Sequence, residues 1–243
     1  MIDKQKIVSL MDLTQLGEND TDDDILELCS KAQNSLGSVA ALCVYKQFIP
    51  LIKQTLGSNF RVATVINFPA GESSLDEVVA EAEEALELGT DEIDVVINYK
   101  QYIATGESQE SCEIVKAVKR LCGDKILKVI IESGELDSQS LIEKASIDAI
   151  TSGADFIKTS TGKTSTGATL KAAKTMLETI ANTNSEVGFK ASGGIRNYEQ
   201  AIEYMKLADT IININYINPD NFRFGVSGLL DNLLNEEVTP NDY

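Results

Sequence analysis

The sequence predicts an α/β fold, a single (β/α)8 TIM barrel, and three observations support this prediction. The chain has 243 residues, close to the roughly 250 residues of a typical barrel of this kind. Short runs rich in β-branched and apolar residues recur along it, mostly separated by segments of helical apolar period. No Gly/Pro/Ser-rich linker and no change in composition divides the chain, so one closed barrel is favoured over an open sheet.

Eight runs are predicted to be strands, and their alternation with helices indicates a parallel sheet. These runs are residues 39–45, 61–67, 92–98, 126–132, 155–158, 187–190, 210–213 and 222–226. The connection before the last run is too short for a full helix, so the final unit departs from the pattern.

The predicted helices follow the 3.6-residue period. In residues 74–88, Leu75, Val78 and Ala82 belong to an apolar stripe opposite acidic residues, and Gly89 is expected to end that helix. Further helices are predicted at residues 21–34, 108–122, 138–152, 168–181, 198–207 and 229–235. Residues 1–234 are expected to form the barrel, and the polar residues 235–243 a flexible tail.

Charge and composition exclude several classes of partner. The formal net charge is −17 and the isoelectric point is about 4.4, which argues against binding to nucleic acid or to an anionic membrane surface. No apolar run approaches 18 residues, and the first 13 residues lack the apolar core of a signal peptide. We therefore expect a soluble, cytoplasmic protein.

The absence of histidine excludes several catalytic mechanisms and most zinc sites. The four cysteines contain no C-x-x-C pair, and no histidine is present to complete a zinc site, so we expect no metal and no cofactor. Ser-His and Cys-His nucleophile pairs are excluded as well. Acid and base catalysis must come from Lys, Asp, Glu, Tyr or water.

Charged residues in the predicted strands are the first candidates for chemistry. Lys158 and Lys190 each end a strand, at the edge where parallel barrels carry their active sites. Asp94 shares the alternation of Val96 and is expected to point inward, and Lys128 lies mid-strand among apolar residues. An internal ion-pair network is the alternative for all four, and for Lys128 the two interpretations are equally open.

Lys158 and Lys190 together suggest an activated amine. A lysine attacks a carbonyl only as the free amine, which is ~0.04% of the population at pH 7 when its pKa is ordinary. A second ammonium about 6 Å away would lower that pKa by about 2, leaving burial to supply the rest. Lys190 would then cause most of the decrease in the pKa of Lys158, and Asp94 would relay protons for imine formation.

Two glycine-containing loops could hold an anion. Gly193 and Gly194 follow Lys190 directly, and residues 225–228 lead into the last predicted helix. Small residues let backbone N–H groups approach a phosphate, and barrels often bind phosphate after strands seven and eight. Glycine also serves ordinary turns, so that interpretation stays open.

Taken together, these motifs resemble the deoxyribose-phosphate aldolases, which are class I aldolases. The resemblance covers nearly the whole chain and includes residues 11–14 (MDLT), 41–45 (ALCVY), 64–71 (TVINFPAG), 94–98 (DVVIN), 127–136 (LKVIIESGEL), 153–163 (GADFIKTSTGK), 188–196 (GFKASGGIR) and 222–225 (FRFG). The pair GADFIKTSTGK and GFKASGGIR is highly specific for this family.

The resemblance implies reversible, metal-free cleavage of 2-deoxy-D-ribose 5-phosphate to glyceraldehyde 3-phosphate and acetaldehyde. It implies a homodimer or higher homo-oligomer, with Lys158 as Schiff-base lysine, Lys190 as the lysine that lowers its pKa, and Asp94 as proton-transfer residue. The positions that match the family's substrate site are Asp12, Lys163, Gly193, Gly194, Ser227 and Gly228.

Some features leave alternatives open. The family often has two serines where this chain has Ser227 and Gly228, so one hydroxyl donor to phosphate is missing. Cys43 matches a position near the site, but a small buried hydrophobe is the simpler interpretation. Tyr243 matches a terminal tyrosine that assists proton transfer in some members. Competing functions are another lysine-imine barrel enzyme, such as a transaldolase, and a silent sugar-phosphate sensor.

Overall fold

The computed structural model describes residues 3–184 and 186–235 and contains a closed barrel of eight parallel strands. The barrel strands, in their order around the barrel, are β1 Met11–Thr14, β4 Ala41–Val44, β5 Val62–Ile66, β6 Glu92–Val96, β7 Ile126–Ile130, β8 Phe156–Lys158, β9 Gly188–Ser192 and β10 Phe222–Val226. Strand β10 pairs with β1 and closes the barrel. A short hairpin, β2 Gln33–Asn34 and β3 Gly37–Ser38, precedes β4. The predicted TIM barrel is confirmed.

Helices cover the outside of the barrel. They are α1 Lys4–Ser9, α2 Asp22–Lys31, α3 Ile49–Leu56, α4 Leu75–Glu87, α5 Tyr99–Thr105, α6 Gln109–Cys122, α7 Gln139–Thr151, α8 Leu170–Thr183, α9 Tyr198–Ile211 and α10 Leu229–Asn235. Their starts are locally encoded: Ser74 and Glu77 form a capping box at α4. Gly89 follows α4 with φ 92°, as predicted. Helices α1, α3 and α5 were not predicted, because each is too short to repeat an apolar stripe.

One predicted strand is wrong, and one barrel strand was not predicted. Residues 210–213 are apolar and β-branched, but α9 runs through Ile211 and Asn213 caps a 3-10 turn. The buried positions of α9, Ala201, Met205 and Ala208 among them, follow a helical spacing that continues into this segment. Strand β1 supplies the eighth strand instead. Its sequence, MDLT, contains Asp12, a residue type that is depleted in strands, so the apolar pattern did not predict a strand there.

The apolar core lies mainly between the barrel strands and the helices, where strand residues pack against the buried faces of the helices. Inside the barrel, by contrast, charged residues replace much of the usual Val, Ile and Leu filling. Within residues 3–184 and 186–235, no helix has the length and apolar character that crossing a membrane requires. The polar tail predicted at 235–243 lies outside the described residues except for Asn235, which ends α10.

Candidate active site

Seven charged side chains from six strands meet inside the barrel, and we call them the buried charge cluster. Residues two apart on a strand point to the same side, which brings both acidic residues of β6 into the interior. No member has more than 2% of its surface exposed. The members are Asp12, Glu92, Asp94, Lys128, Lys158, Lys190 and Arg223.

Asp94 is the centre of this cluster. Its Oδ2 atom accepts hydrogen bonds from Lys158 Nζ at 2.9 Å and from Lys190 Nζ at 2.8 Å. Its Oδ1 atom accepts from Lys128 Nζ at 2.8 Å. The nitrogens of Lys158 and Lys190 therefore lie less than ~6 Å apart, a separation at which charges interact strongly inside a protein. The residues predicted to act together are adjacent in the fold.

The lower part of the cluster includes two residues that the sequence analysis missed. Arg223 donates to Asp12 Oδ1 at 2.5 Å and to Glu92 Oε1 at 3.1 Å. Glu92 Oε2 lies 2.5 Å from Lys128 Nζ. Glu92 lies two residues before Asp94 in β6, so the alternation that turns Asp94 inward could have revealed Glu92 as well. Arg223 lies between Phe222 and Phe224, and a charged residue at that place in an apolar strand could have drawn attention to it.

The pKa values of Lys158 and Lys190, the two lysines that share Asp94 Oδ2, are shifted in opposite directions. The pKa of Lys158 lies below its ordinary value, mainly because of burial, and Lys190 lowers it further against the opposing effect of Asp94. Burial also acts to lower the pKa of Lys190, but Asp12 and Asp94 outweigh it and raise that pKa. The expectation that Lys190 supplies most of the lowering at Lys158 is therefore wrong, because burial is the larger cause.

Two carboxyl groups of the cluster, Asp12 and Asp94, are held in the ionised form. Burial acts to raise the pKa of Asp94, yet Lys128, Lys158 and Lys190 hold it well below its ordinary value. The pKa of Asp12 is lowered in the same way, against burial, chiefly by Lys190. Of the four basic groups of the cluster, Lys158 alone has a lowered pKa, and the pKa values of Lys128, Lys190 and Arg223 are raised.

A cavity of about 450 Å³ opens at the carboxyl ends of the strands. Its walls come from the loops after β1, β8, β9 and β10, and include Gly193, Gly194, Ser227 and Gly228. With β1 counted, β9 and β10 are the seventh and eighth barrel strands, after which barrels often bind phosphate. Lys158 does not line this cavity itself, but it ends β8, and the loop that follows carries the lining residues Thr161, Gly162 and Lys163.

Three glycines shape this region. Gly193 and Gly194 have φ values of 85° and 88°, in the left-handed region that disfavours other residues. A Cβ at Gly225 would stand 3.0 Å from Lys190 Cε and 2.5 Å from Ser192 Oγ. Glycine at residue 225 therefore leaves space for the lysine side chain.

The loop after β8 is held by Glu132, a residue outside the predicted site. Glu132 is buried at φ 51° and its carboxylate accepts hydrogen bonds from Thr161 N, Thr161 Oγ1 and Thr164 Oγ1. Burial raises its pKa. Lys163, from the same loop, donates from Nζ to the Leu16 carbonyl at 2.6 Å, so it bridges two walls of the cavity.

A small apolar group adjoins the cluster on the side of β4 and β5. Cys43, Ala63, Val65 and Leu16 are buried together, apart from the main core. Val65 pairs in register with Asp94, which places this group beside the charged residues. Burial raises the pKa of the Cys43 thiol, in agreement with the role of a small hydrophobe.

The structure separates the predicted substrate residues into two sets. Lys163, Gly193, Gly194, Ser227 and Gly228 all line the cavity. Asp12 instead lies in the buried charge cluster, where its oxygens contact Lys190 at 2.5 Å and Arg223 at 2.5 Å. Its contact with substrate stays a prediction. Tyr243 lies outside the described residues.

The profile of the DeoC/LacD family aldolases matches residues 6–221 of this chain. Among solved structures, a candidate deoxyribose-phosphate aldolase from Coccidioides immitis is 28% identical with a TM-score of 0.84, and the match covers 96% of this chain and 87% of that one. A candidate deoxyribose-phosphate aldolase from Toxoplasma gondii ME49 is 25% identical with a TM-score of 0.87, covering 98% and 97%.

A third similar structure is the deoxyribose phosphate aldolase from Aeropyrum pernix, described as having a unique tetrameric structure. It is 23% identical with a TM-score of 0.77, covers 96% of this chain and 92% of its own, and supports the fold. The profile match extends over most of the chain and includes Asp94, Lys158 and Lys190. The chain therefore belongs to the DeoC/LacD family of aldolases.

Proposed function

We propose that this aldolase reversibly cleaves 2-deoxy-D-ribose 5-phosphate to D-glyceraldehyde 3-phosphate and acetaldehyde through an imine on Lys158. The observation that carries the proposal is the contact of Lys158 and Lys190 with one oxygen of Asp94, at 2.9 Å and 2.8 Å. The pKa of Lys158 is lowered and that of Lys190 is raised. One lysine is thereby suited to be the nucleophile and the other to remain an ammonium.

In the proposed reaction the Lys158 amine adds to the aldehyde carbon C1 of the open-chain sugar, and loss of water gives the protonated imine. Removal of the C3 hydroxyl proton then breaks the C2–C3 bond, and its electron pair moves to the iminium nitrogen. Glyceraldehyde 3-phosphate leaves and an enamine remains. Protonation at C2 and hydrolysis release acetaldehyde and free Lys158.

Asp94 and Lys190 are the groups proposed to move protons in these steps. Asp94 Oδ2 contacts both lysine nitrogens, so a proton leaving Lys158 has an acceptor and a second donor at hydrogen-bond distance. A water between this oxygen and the sugar would complete the path to the C3 hydroxyl. A plain ion pair between Asp94 and the lysines is the competing interpretation.

The phosphate is proposed to lie against the loops after β9 and β10. Gly193 and Gly194 bring backbone N–H groups to the cavity wall, Lys163 supplies a positive charge at its mouth, and Ser227 offers a hydroxyl group. Gly228 has no side chain to add, and a Cβ there would meet nothing within 4 Å. A backbone N–H remains available at that position.

Reductive trapping tests the mechanism. Acetaldehyde and borohydride should leave an ethyl group on Lys158, located by peptide mass spectrometry, and the Lys158→Ala protein should form no adduct. An enzyme that turns over without any adduct, or whose adduct lies on another lysine, would contradict the proposed nucleophile.

Substrate comparison tests the reaction. Turnover should be highest with 2-deoxyribose 5-phosphate, lower with 2-deoxyribose, and absent with fructose phosphates, which a transaldolase or another sugar-phosphate aldolase would use. Binding of the sugar phosphate without turnover would indicate a silent sensor instead. We also propose a homodimer or higher homo-oligomer, and light scattering coupled to gel filtration measures it.

A further inference from the structure

Beneath the reacting lysine, Glu92 and Arg223 form the floor of the buried charge cluster. The Arg223 guanidinium lies over the Phe156 ring at 5.7 Å, two residues before Lys158 in β8. Its Nε atom donates to the carbonyl of Pro219, which precedes β10. Neither Glu92 nor Arg223 lines the cavity. Glu92 is the first residue of β6 and Arg223 the second of β10, so both lie towards the amino-terminal end of the barrel.

Each floor residue holds one carboxylate of the site in place. Arg223 contacts Asp12 Oδ1 at 2.5 Å, and Asp12 Oδ2 contacts Lys190 at 2.5 Å. Glu92 contacts Lys128 at 2.5 Å, and Lys128 contacts Asp94 Oδ1 at 2.8 Å. The floor residues also pair with each other at 3.1 Å.

The cluster contains four basic groups and three carboxylates. An unbalanced buried charge is costly, so the arrangement favours the loss of one proton from one base. Lys128, Lys190 and Arg223 each contact at least two carboxylates. Lys158 contacts only Asp94 among the three. With Lys158 uncharged, three cations face three carboxylates.

We infer that Glu92 and Arg223 are positioning residues that balance the buried charge and thereby leave Lys158 as the surplus base, held as the free amine. The inference rests on the proposed function, because it assumes that Lys158 is the nucleophile. Outside the seven members, the charged or titratable groups near this cluster are Arg61, whose guanidinium is 4.0 Å from Glu92, the Cys43 thiol, and Glu132.

Charge balance predicts opposite shifts for two substitutions. Glu92→Gln removes a negative charge, so Lys158 should lose its proton more readily and the acid limb of kcat/KM should move to lower pH. Arg223→Met removes a positive charge, so Lys158 should keep its proton and the limb should move to higher pH. Each shift should be on the order of one pH unit. In the double variant the acid limb of kcat/KM should return to its wild-type pH.

The readout combines kinetics with trapping. The rate of Lys158 ethylation by acetaldehyde and cyanoborohydride, measured against pH by mass spectrometry, should shift with kcat/KM. Exposed Glu143→Gln and Arg120→Met serve as matched controls and should leave both profiles unchanged. Circular dichroism and thermal unfolding show whether each variant folds. If Arg223→Met does not fold, Arg223→Lys replaces it, and only the Glu92 substitution should then shift the limb.

The two possible failures are distinguishable. Shifts in the same direction, or no shift in variants that are still trapped at Lys158, would overturn the role of Glu92 and Arg223 and leave the proposed function intact. A wild-type enzyme that is never trapped at Lys158 at any pH would overturn the proposed function itself.

Discussion

Lys158 occupies the position in the buried charge cluster that favours an ammonium least among its four basic groups. It is 2% exposed, its pKa is lowered chiefly by burial, and its single carboxylate partner in the buried charge cluster is shared with Lys190. Burial penalises the charged form of any lysine, but the other basic groups of the cluster recover that cost through two or more carboxylates. The distribution of partners therefore distinguishes Lys158 from its neighbours.

Replacing Lys190 with leucine should shift the pH dependence of the reaction upward. The substitution removes an ammonium that lowers the pKa of Lys158 and leaves the Oδ2 atom of Asp94 to Lys158 alone, while Oδ1 still accepts from Lys128. The Lys158 pKa should rise, so the amine fraction at pH 7 should fall roughly tenfold and the optimum should move about one unit to the alkaline side. The kcat and kcat/KM profiles against pH measure this.

Lys174→Leu, on the exposed face of α8, is the matched control and should leave the profile unchanged. A Lys190→Leu enzyme that folds and loses kcat without any shift of its pH profile would show that Lys190 acts on proton transfer alone.

At the scale of the elements, the loops after β8, β9 and β10 form one structural unit around the cavity. Thr159 Oγ1 donates to the Ser192 carbonyl at 3.1 Å, and Ala168 N donates to the Gly193 carbonyl at 3.0 Å. Glu132 reaches from the end of β7 to fix Thr161. The loop that follows Lys158 is thereby joined to the proposed phosphate loop after β9 on one side and to the end of β7 on the other.

Gly194→Ala should weaken binding of the phosphorylated substrate. The residue has φ 88°, and a non-glycine residue in the left-handed region costs about 1–2 kcal/mol, so the loop should relax away from its present shape. We expect KM for the 5-phosphate to rise roughly tenfold while kcat and trapping at Lys158 stay within a factor of about two.

Gly37→Ala provides the control, because Gly37 also has a positive φ, of 120°, but lies in the hairpin and not in the cavity wall. An equal change of KM in both variants, or an equal change for unphosphorylated 2-deoxyribose, would argue against a phosphate site in this loop.

For the molecule as a whole, the buried charge cluster couples catalysis to stability. A barrel interior filled with ion pairs is stabilised only while its carboxylates stay ionised, because each cation then has a partner. The pKa values of Asp12 and Asp94 are lowered in the folded protein, so both groups bind fewer protons there than in the unfolded chain.

Acid should therefore destabilise the protein. The contribution of these carboxylates is fully present above their unfolded pKa, which is near 3.8, and is lost as pH falls from there through the folded values. Urea unfolding at pH 7, 5 and 3 should show a lower free energy of unfolding at pH 3 than at pH 5.

Asp94→Asn removes one of the titrating groups, so it should be less stable than wild type at pH 7 and should lose less stability between pH 5 and 3. An equal loss in wild type and variant would place the acid-sensitive groups elsewhere.

The sequence by itself determined the barrel, and it predicted that Lys158, Lys190 and Asp94 meet inside it and that two glycine-containing loops lie at its carboxyl end. Apolar period, helix caps and the positions of Lys158 and Lys190 are local properties, and local patterns are readable along a chain. The resemblance in residues 153–163 and 188–196 added the reaction to this prediction.

Only the tertiary structure decided which groups share the barrel interior. Strand β1 pairs with β10, more than 200 residues later in the chain, so neither its membership in the barrel nor the contact of Asp12 with Arg223 is visible in a local pattern. The pairing of charges likewise depends on distances between strands that are far apart in sequence. The state of Lys158 follows from the sum of those contacts, because burial and every neighbouring charge act on its pKa together.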